Sequence, residues 1–175
     1  MALVKGNIWK FGDSVDTDQI IPARYLNIPD PDELKKHCFA DARPDFAAGV
    51  RAGDVIVGGG NFGCGSSREE APSLLKENGI AAVLATSFGR IFLRNAVNIG
   101  LIAVECPGLD REVSDGDKME MDTDTGEIRD LTNNKVFHSQ PLPQFLQEII
   151  KAGGLLPYAQ AELQMQLKQS SGREK

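Results

Sequence analysis

Short, almost continuously apolar runs alternate with longer mixed segments through the middle of the chain. Each apolar run is the length of a buried strand, and a glycine follows each intervening segment, as it often does after a helix. The predicted order is strand, helix, strand, helix and strand, over Asp54–Gly58, Ala71–Asn78, Ile80–Ala85, Phe88–Asn98 and Leu101–Cys106. Apolar strands joined by helices are typical of a parallel sheet covered on both faces, with right-handed crossovers.

The pattern differs on either side of this region. Asn7–Lys10 is a short β-prone segment that leads into a polar loop. Pro29–Glu33 predicts a helix start with acidic residues in its first turn, and Leu34–Phe39 predicts a short helix after it. After residue 115, turn residues separate short segments that predict antiparallel ribbons, at Lys118–Asp122, Glu127–Leu131 and Lys135–His138. The sequence therefore predicts an α/β fold with a mainly parallel central sheet and additional antiparallel β ribbons.

The C-terminal region contains one further helix. Pro143–Ala152 predicts this helix, and Gly153 and Gly154 end it. Residues 160–175 are polar enough to form a frayed helix or a tail. No repeat or linker divides the chain, so we expect one domain over residues 1–160 and a polar tail over residues 161–175.

Charge and composition exclude several classes of function. The 175 residues carry a formal net charge of −6, and the basic residues are dispersed, which disfavours binding to nucleic acid. No apolar run has the length of a membrane span, and the first residues lack the apolar region of a signal peptide, so we expect a cytoplasmic protein without membrane contact. The three cysteines are far apart in sequence, which predicts reduced thiols and no metal site.

The densest chemical signal is the glycine-rich segment Gly58–Glu69, between a predicted strand and a predicted helix. Glycines let the backbone approach a ligand, and the free amides at a helix start favour an anion. Arg68 adds a planar fork of donors suited to a carboxylate. Neither a dinucleotide-binding glycine pattern nor a P-loop lysine is present. The segment therefore predicts a site for a small organic acid.

Ser66 and Ser67 have a structural alternative. Each begins a Ser-x-x-Glu pattern, so either hydroxyl could cap the following helix. Pro72 complicates that alternative, because a proline belongs in the first turn and favours a later helix start. One serine could also cap the helix while the other faces a ligand.

Three segments in this order, Asp16–Pro22, Asn61–Glu69 and Ser87–Asn95, resemble the small-subunit family of 3-isopropylmalate dehydratase, in the aconitase superfamily. The resemblance is close over residues 5–110 and loose over the remainder. It implies a three-layer swivelling β/β/α domain. It also implies a hydro-lyase that isomerises or dehydrates a hydroxy di- or tricarboxylic acid, converting 2-isopropylmalate to 3-isopropylmalate in leucine biosynthesis.

The resemblance also implies roles for particular residues. Ser66 corresponds to the base that takes a proton next to a carboxylate, while Ser67 and Arg68 correspond to substrate-carboxylate contacts, with Gly65 in the same motif. Asp18 corresponds to a position near the active site, although it could equally organise turns. The chain itself would bind no cofactor or metal. A [4Fe-4S] cluster would lie on a large partner subunit, without which the chain would be inactive.

Asn27 and Ile28 occupy the positions that, by the same resemblance, select the substrate tail. The absence of an arginine disfavours a tail carboxylate, because burying one without a cation costs several kcal/mol. Ile28 favours an aliphatic tail. Asn27 leaves 2-methylmalate and 2,3-dimethylmalate open as substrates, whereas homoaconitate is less favoured.

Other features leave alternatives open. Glu70 replaces the histidine that is common in the family, and it could either oppose an anionic substrate or favour the helix dipole from the solvent side. Arg90 and Arg94 share a helix face and are interpreted as solvated side chains, and His37 and His138 as structural or surface residues. A carboxylate-binding module without catalysis is the alternative function, and the isolated chain could also form a homo-oligomer.

Overall fold

A seven-stranded sheet, half parallel and half antiparallel, forms the centre of the computed structural model, which describes residues 3–171. The strands are β1 (Leu3–Lys10), β2 (Val55–Gly58), β3 (Ala82–Ala85), β4 (Ile102–Glu105), β5 (Lys118–Asp122), β6 (Glu127–Asp130) and β7 (Lys135–His138). Their order across the sheet is β4-β3-β2-β1-β5-β6-β7. Strands β1 to β4 are parallel, and β5 to β7 continue from β1 as an antiparallel meander.

Strand β1 belongs to both halves of the sheet. Its first part, Leu3–Asn7, pairs with β5, and its last part, Ile8–Lys10, pairs with β2. The parallel and antiparallel halves of the sheet can therefore separate along β1, so that one face of each half packs against the other.

Two apolar cores confirm three layers. One core lies between the parallel and antiparallel halves and contains Val57, Leu84, Met119 and Ile128. The neighbouring strand residues point the other way, because side chains alternate along a strand, and Ile56 and Val83 join a second core with the helices. The order sheet, sheet, helix is the three-layer β/β/α arrangement that the resemblance implied.

Six helices lie between these strands in the described part of the chain, and two more follow β7. They are α1 (Thr17–Ile20), α2 (Pro31–Leu34), α3 (Phe46–Gly49), α4 (Glu70–Glu77), α5 (Arg90–Asn98), α6 (Leu109–Glu112), α7 (Gln144–Lys151) and α8 (Leu155–Ser171), with 3₁₀ turns at Ala23–Tyr25 and Lys35–His37. The long helices α4 and α5 are the two predicted crossovers. Gly79 and Gly100 follow them at φ of 93° and 73°, which confirms their predicted role as stop signals.

The helix start predicted at Pro29–Glu33 is confirmed, because Asp30 caps α2 by accepting from Asp32 N and Pro31 fills its first turn. The helix predicted over Leu34–Phe39 is wrong, because α2 ends at Leu34. The chain then tightens into the 3₁₀ turn Lys35–His37, which ends at Cys38 in an extended conformation. The short helices α1, α3 and α6 had no signal in the apolar pattern.

The C-terminal residues are helical through residue 171, so the helical alternative holds for the described part of the predicted tail. Residues 172–175 lie outside the described range. The division at residue 160 stays a prediction. Within residues 3–171, no helix combines the length and apolar character that crossing a membrane requires.

Candidate active site

The glycine-rich segment forms a loop at the carboxyl end of β2, where parallel sheets commonly bind ligands. Gly63 and Gly65 take positive φ of 74° and 92°. Gly63 also lies against Phe92, whose ring would clash with any Cβ at that position. The loop geometry therefore depends on glycine for both conformation and space.

The segment at 13–18 forms one side of this loop. Gly60 N donates to Asp13 Oδ1 at 2.6 Å, Gly63 N donates to Val15 O at 2.7 Å, and Thr17 N donates to Cys64 O at 2.9 Å. These bonds join residues that are almost fifty positions apart, which fixes the loop on an already folded support.

Ser87 holds the other side of the loop. Its Oγ accepts from Asn61 N at 2.9 Å, and its carbonyl accepts from Phe62 N at 2.9 Å. Gly89 N in turn donates to Phe62 O at 2.8 Å. The three segments that carried the family resemblance therefore meet in space around Asn61–Ser66.

Three consecutive amides of the loop face no internal acceptor. Among the described residues, nothing accepts from the backbone N–H groups of Gly65, Ser66 or Ser67, and all three residues are exposed. The Ser66 carbonyl is fixed, since it accepts from Thr17 Oγ1 at 3.0 Å and from Arg68 N at 2.9 Å. Successive free amides on a rigid turn form a concave site for an anion.

Neither serine caps the next helix, so the capping-box alternative is wrong. Helix α4 begins at Glu70, its N-cap is Glu69, and no side chain caps it. Pro72 accounts for this start, because it lies in the first turn. Within the described residues, no hydrogen bond occupies the hydroxyls of Ser66 and Ser67.

Arg68 is half-buried and anchored to a neighbouring segment. Its Nη1 donates to Asp18 Oδ1 and to Ile21 O, each at 2.7 Å. A guanidinium carries five N–H groups, so Nε and Nη2 keep three that no described residue accepts. This arrangement leaves a bidentate fork for a carboxylate while fixing the orientation of the side chain.

Asp18 contacts Arg68 and also organises its own turn. The hydrogen bond from Arg68 is the main cause that holds the pKa of this carboxyl below its usual value, and the hydrogen bond from Ala23 N adds to it. Asp16 caps α1 by accepting from Gln19 N. Asp16 and Asp18 therefore organise turns, and Asp18 also contacts Arg68, while the place of Asp18 near the active site stays a prediction.

Asn27 and Ile28 lie on a turn that follows Asp18 and Ile21, the two residues that accept from Arg68. The turn is held by the ion pair between Arg24 and Asp41, with Nη1–Oδ2 at 2.7 Å, and by stacking of Tyr25 on His37 at 4.0 Å. Asn27 is exposed, whereas Ile28 is half-buried in a cavity wall shared with α4. We call the segment Arg24–Ile28 the 24–28 turn.

The remaining candidate residues are exposed side chains or, for His37, a half-buried side chain that stacks on a neighbour. Arg90, Arg94 and His138 are exposed, and His37 is half-buried against Tyr25, as predicted. Glu70 occupies the first turn of α4 and is exposed, which is the solvent-side alternative. Sequence reasoning assigned no separate role to Asp13, Thr17 and Ser87. Asp13 and Thr17 were noted only as part of a polar loop, and Ser87 only as the first residue of a segment that carries the family resemblance.

The cysteines do not form a common site. Cys38 is buried in the helix-side core and Cys106 in the core between the sheets, and burial raises the pKa of both thiols. Cys64 is half-buried in the glycine-rich loop. All three are free, and no group of three or more metal-ligating side chains occurs within residues 3–171.

Comparisons with known proteins agree on one family. The family described as the aconitase C-terminal domain matches residues 32–109. The isopropylmalate/citramalate isomerase small subunit of Methanocaldococcus jannaschii is 52% identical over 93% of this chain and 96% of its own length. The 3-isopropylmalate dehydratase small subunit of Thermodesulfovibrio yellowstonii is 53% identical over 93% and 97%.

Two further proteins are similar to this chain: a relative named for a different substrate, and a protein whose structure has been solved. The 2,3-dimethylmalate dehydratase small subunit of Eubacterium barkeri is 52% identical over 90% of this chain and 96% of its own length. The crystal structure of 3-isopropylmalate dehydratase from Methanocaldococcus jannaschii superposes with a TM-score of 0.90 at 46% identity, covering 96% of this chain and 99% of that one.

Proposed function

The chain belongs to the family of 3-isopropylmalate dehydratase small subunits, and from this membership we propose that it is the small subunit of a hydro-lyase that isomerises 2-isopropylmalate to 3-isopropylmalate. The observation that carries the proposal is the exposed Gly65–Ser67 turn with its three free amides beside Arg68. This arrangement suits a small organic acid. The reaction belongs to leucine biosynthesis, for which we propose a cytoplasmic location.

Ser66 acts as the base in this proposal. Its Oγ, as the alkoxide, takes the proton from the carbon next to a substrate carboxylate, and the electrons of the broken C–H bond form the new double bond as hydroxide departs. An alkoxide requires stabilisation, which the neighbouring amides and the Arg68 guanidinium supply. The Ser66 hydroxyl is exposed and makes no hydrogen bond with any described residue, so substrate can reach it.

Arg68 and Ser67 bind the substrate carboxylate. The Nε and Nη2 groups of Arg68 have the spacing for a bidentate carboxylate, and the Ser67 hydroxyl can donate beside them. The Gly65 N–H adds a backbone donor. Asp18 acts on the substrate through Arg68, whose orientation it fixes.

The cluster is proposed to lie on the partner subunit, because no suitable set of ligands comes together within residues 3–171. Cys38 and Cys106 lie in separate cores and Cys64 in the loop, so they cannot surround one cluster. When bound, a [4Fe-4S] cluster supplies a Lewis acid for the departing hydroxyl. The small-subunit names of the relatives support a large subunit as partner.

Tail selection is assigned to Asn27 and Ile28. Arg24 is paired with Asp41, and Arg68 is already assigned to the carboxylate next to the reacting carbon, so neither supplies a cation for a tail carboxylate. The half-buried Ile28 favours an alkyl group. The names of the relatives include citramalate and 2,3-dimethylmalate, so a panel of these substrates with 2-isopropylmalate and homocitrate tests the assignment.

Reconstitution with the cognate large subunit tests the catalytic role of Ser66. We expect Ser66→Ala to lower kcat for 2-isopropylmalate by about 10²- to 10⁴-fold, the usual contribution of a positioned base, while assembly is unchanged. Ser139→Ala, in the turn after β7, is the matched control and should keep full activity. Unchanged turnover in Ser66→Ala would remove the base assignment. Substrate binding without turnover by the wild-type complex would favour the non-catalytic module.

A further inference from the structure

A groove beside the candidate site has an apolar floor and an acidic wall. Its volume is about 280 Å³, more than a three-carbon tail requires, and one end is formed by Ile28 of the 24–28 turn. Leu34 and Leu74 form the floor. The acidic wall comprises Glu69, Glu70 and Glu77.

The acidic wall follows one face of α4. Glu70, Ser73 and Glu77 are spaced by three and four residues, so their side chains line up along the helix. The only lysine of this helix, Lys76, points elsewhere, because its Nζ donates to the carbonyls of Ile99 and Gly153. The helix therefore presents two carboxylates to the groove without a compensating cation.

These carboxylates differ from the other acidic groups around the groove. Asp32 and Glu33 form ion pairs with Lys35 and Lys36. Within residues 3–171, by contrast, no lysine or arginine pairs with Glu69, Glu70 or Glu77, although all three are exposed. Three like charges beside an apolar floor are complementary to a segment with cationic side chains and an apolar one.

The groove also adjoins the candidate site along the chain. Glu69 directly follows Arg68, and Leu74 and Ile28 belong to the same helix-side core. A subunit that supplies its cluster opposite Ser66 must therefore cover the surface around this loop. An anionic substrate is the wrong occupant for the acidic wall, since like charges repel.

We propose that this groove docks a lysine- or arginine-bearing segment of the cluster-carrying large subunit, with an apolar side chain on Leu34 and Leu74. The inference rests on the proposed function, because it requires that partner. Rim charges of this kind accelerate association more than they strengthen the final complex.

Association kinetics with the cognate large subunit test the docking site. We expect Glu70→Lys/Glu77→Lys to lower the association rate constant about tenfold at low ionic strength, and the difference to shrink near 0.5 M salt as screening increases. The control is Glu120→Lys/Glu127→Lys, which makes the same change in net charge in another acidic groove, where Lys5 and Arg129 already pair with these carboxylates. It should associate like the wild type, and thermal unfolding verifies that both variants fold.

Each outcome decides between the two proposals. Equal association rates in the two double variants, in a complex that still turns over substrate, overturn the docking site alone. A raised KM for 2-isopropylmalate with unchanged association also overturns it and assigns the groove to substrate. If the wild-type chain forms no complex with the large subunit, the proposed function fails and the docking inference fails with it.

Discussion

Arg68 shows how neighbouring side chains prepare a single residue for binding. Its guanidinium is fixed by Asp18 and the Ile21 carbonyl on one edge and keeps donors on the other. The sequence motif predicted a carboxylate contact here, but it could not predict the anchor, because Asp18 lies fifty residues away. The exposed serines were similarly predicted as candidates. Only the helix start imposed by Pro72 separates them from capping.

Replacing Asp18 should loosen Arg68 without unfolding the protein. We expect Asp18→Asn to raise the KM for 2-isopropylmalate about tenfold with a smaller change in kcat, because the variant loses a charge-assisted hydrogen bond that orients the guanidinium. Steady-state kinetics of the reconstituted complex measure this split. Glu112→Gln, which breaks an exposed ion pair with Lys135, is the matched control and should leave KM unchanged.

The ion pair between Asp18 and Arg68 has a defined pH dependence. Arg68 lowers the pKa of Asp18 in the folded protein, so the carboxylate stabilises the site above its ordinary pKa and this contribution is lost as pH falls through the lowered value. Acid should therefore weaken substrate binding in the wild type more than in Asp18→Asn. Binding isotherms at a series of acidic pH values measure the difference, and parallel curves for both proteins would contradict it.

At the scale of elements, the apolar pattern predicted the parallel region well. The strands around Ile56, Val83 and Val104 and both long helices appear in the predicted order, since burial on both faces leaves a strong signal. The short helices α1, α3 and α6 and the end of α2 at Leu34 were not predicted. A local cap such as Asp16 determines α1, and the apolar spacing does not record that bond.

Asp54 joins β1 to β2 through a buried carboxylate. It accepts from Asn7 N, Asn7 Nδ2, Trp9 Nε1 and Arg51 N at 2.9 to 3.1 Å. Burial alone would raise its pKa, but the hydrogen bonds outweigh burial and hold the pKa below its usual value. The carboxylate thus satisfies four donors at the point where the two strands begin to pair.

Removal of this carboxylate should destabilise the sheet. We expect Asp54→Ala to lower the free energy of unfolding by about 3 kcal/mol, because it leaves buried donors without an acceptor. The free energy of unfolding of Asp54→Asn should lie between those of the wild type and Asp54→Ala. This variant should also lack the part of the stability that the wild type loses as pH falls through the lowered pKa of Asp54. Chemical denaturation at neutral and acidic pH measures both. Asp45→Ala, at an exposed carboxylate, serves as the control and should change stability little.

At the scale of the whole molecule, the fold class was predictable but the packing of its halves was not. Turn residues between the short segments indicated antiparallel strands, yet no local pattern predicts that Met119 and Ile128 pack in one core with Val57 and Leu84. The β/β/α layering came from the family resemblance, and the two cores confirm it. The candidate site depends on this packing only indirectly, because its supports come from residues 13–18 and 87–89.

The predicted tail can be tested by truncation. Residues 161–168 of α8 are mostly exposed, including Leu163 at 58% and Met165 at 51%, so they contribute little to the cores. We expect a chain ending at Gln160 to unfold cooperatively with a Tm within about 3 °C of the full-length protein, a shift equivalent to roughly 1 kcal/mol. Calorimetry measures this. A loss of cooperative unfolding would place the end of the domain beyond residue 160.

The shared strand β1 has a consequence for how the chain emerges from the ribosome. Its Ile8–Lys10 part can pair once residues 55–57 have been synthesised, but its Leu3–Asn7 part must wait for residues 118–122. Strand β1 is thus completed only after residues 118–122 have been synthesised. A nascent chain halted before residue 118 would leave the Leu3–Asn7 part of β1 without its partner strand and open to pairing with other chains.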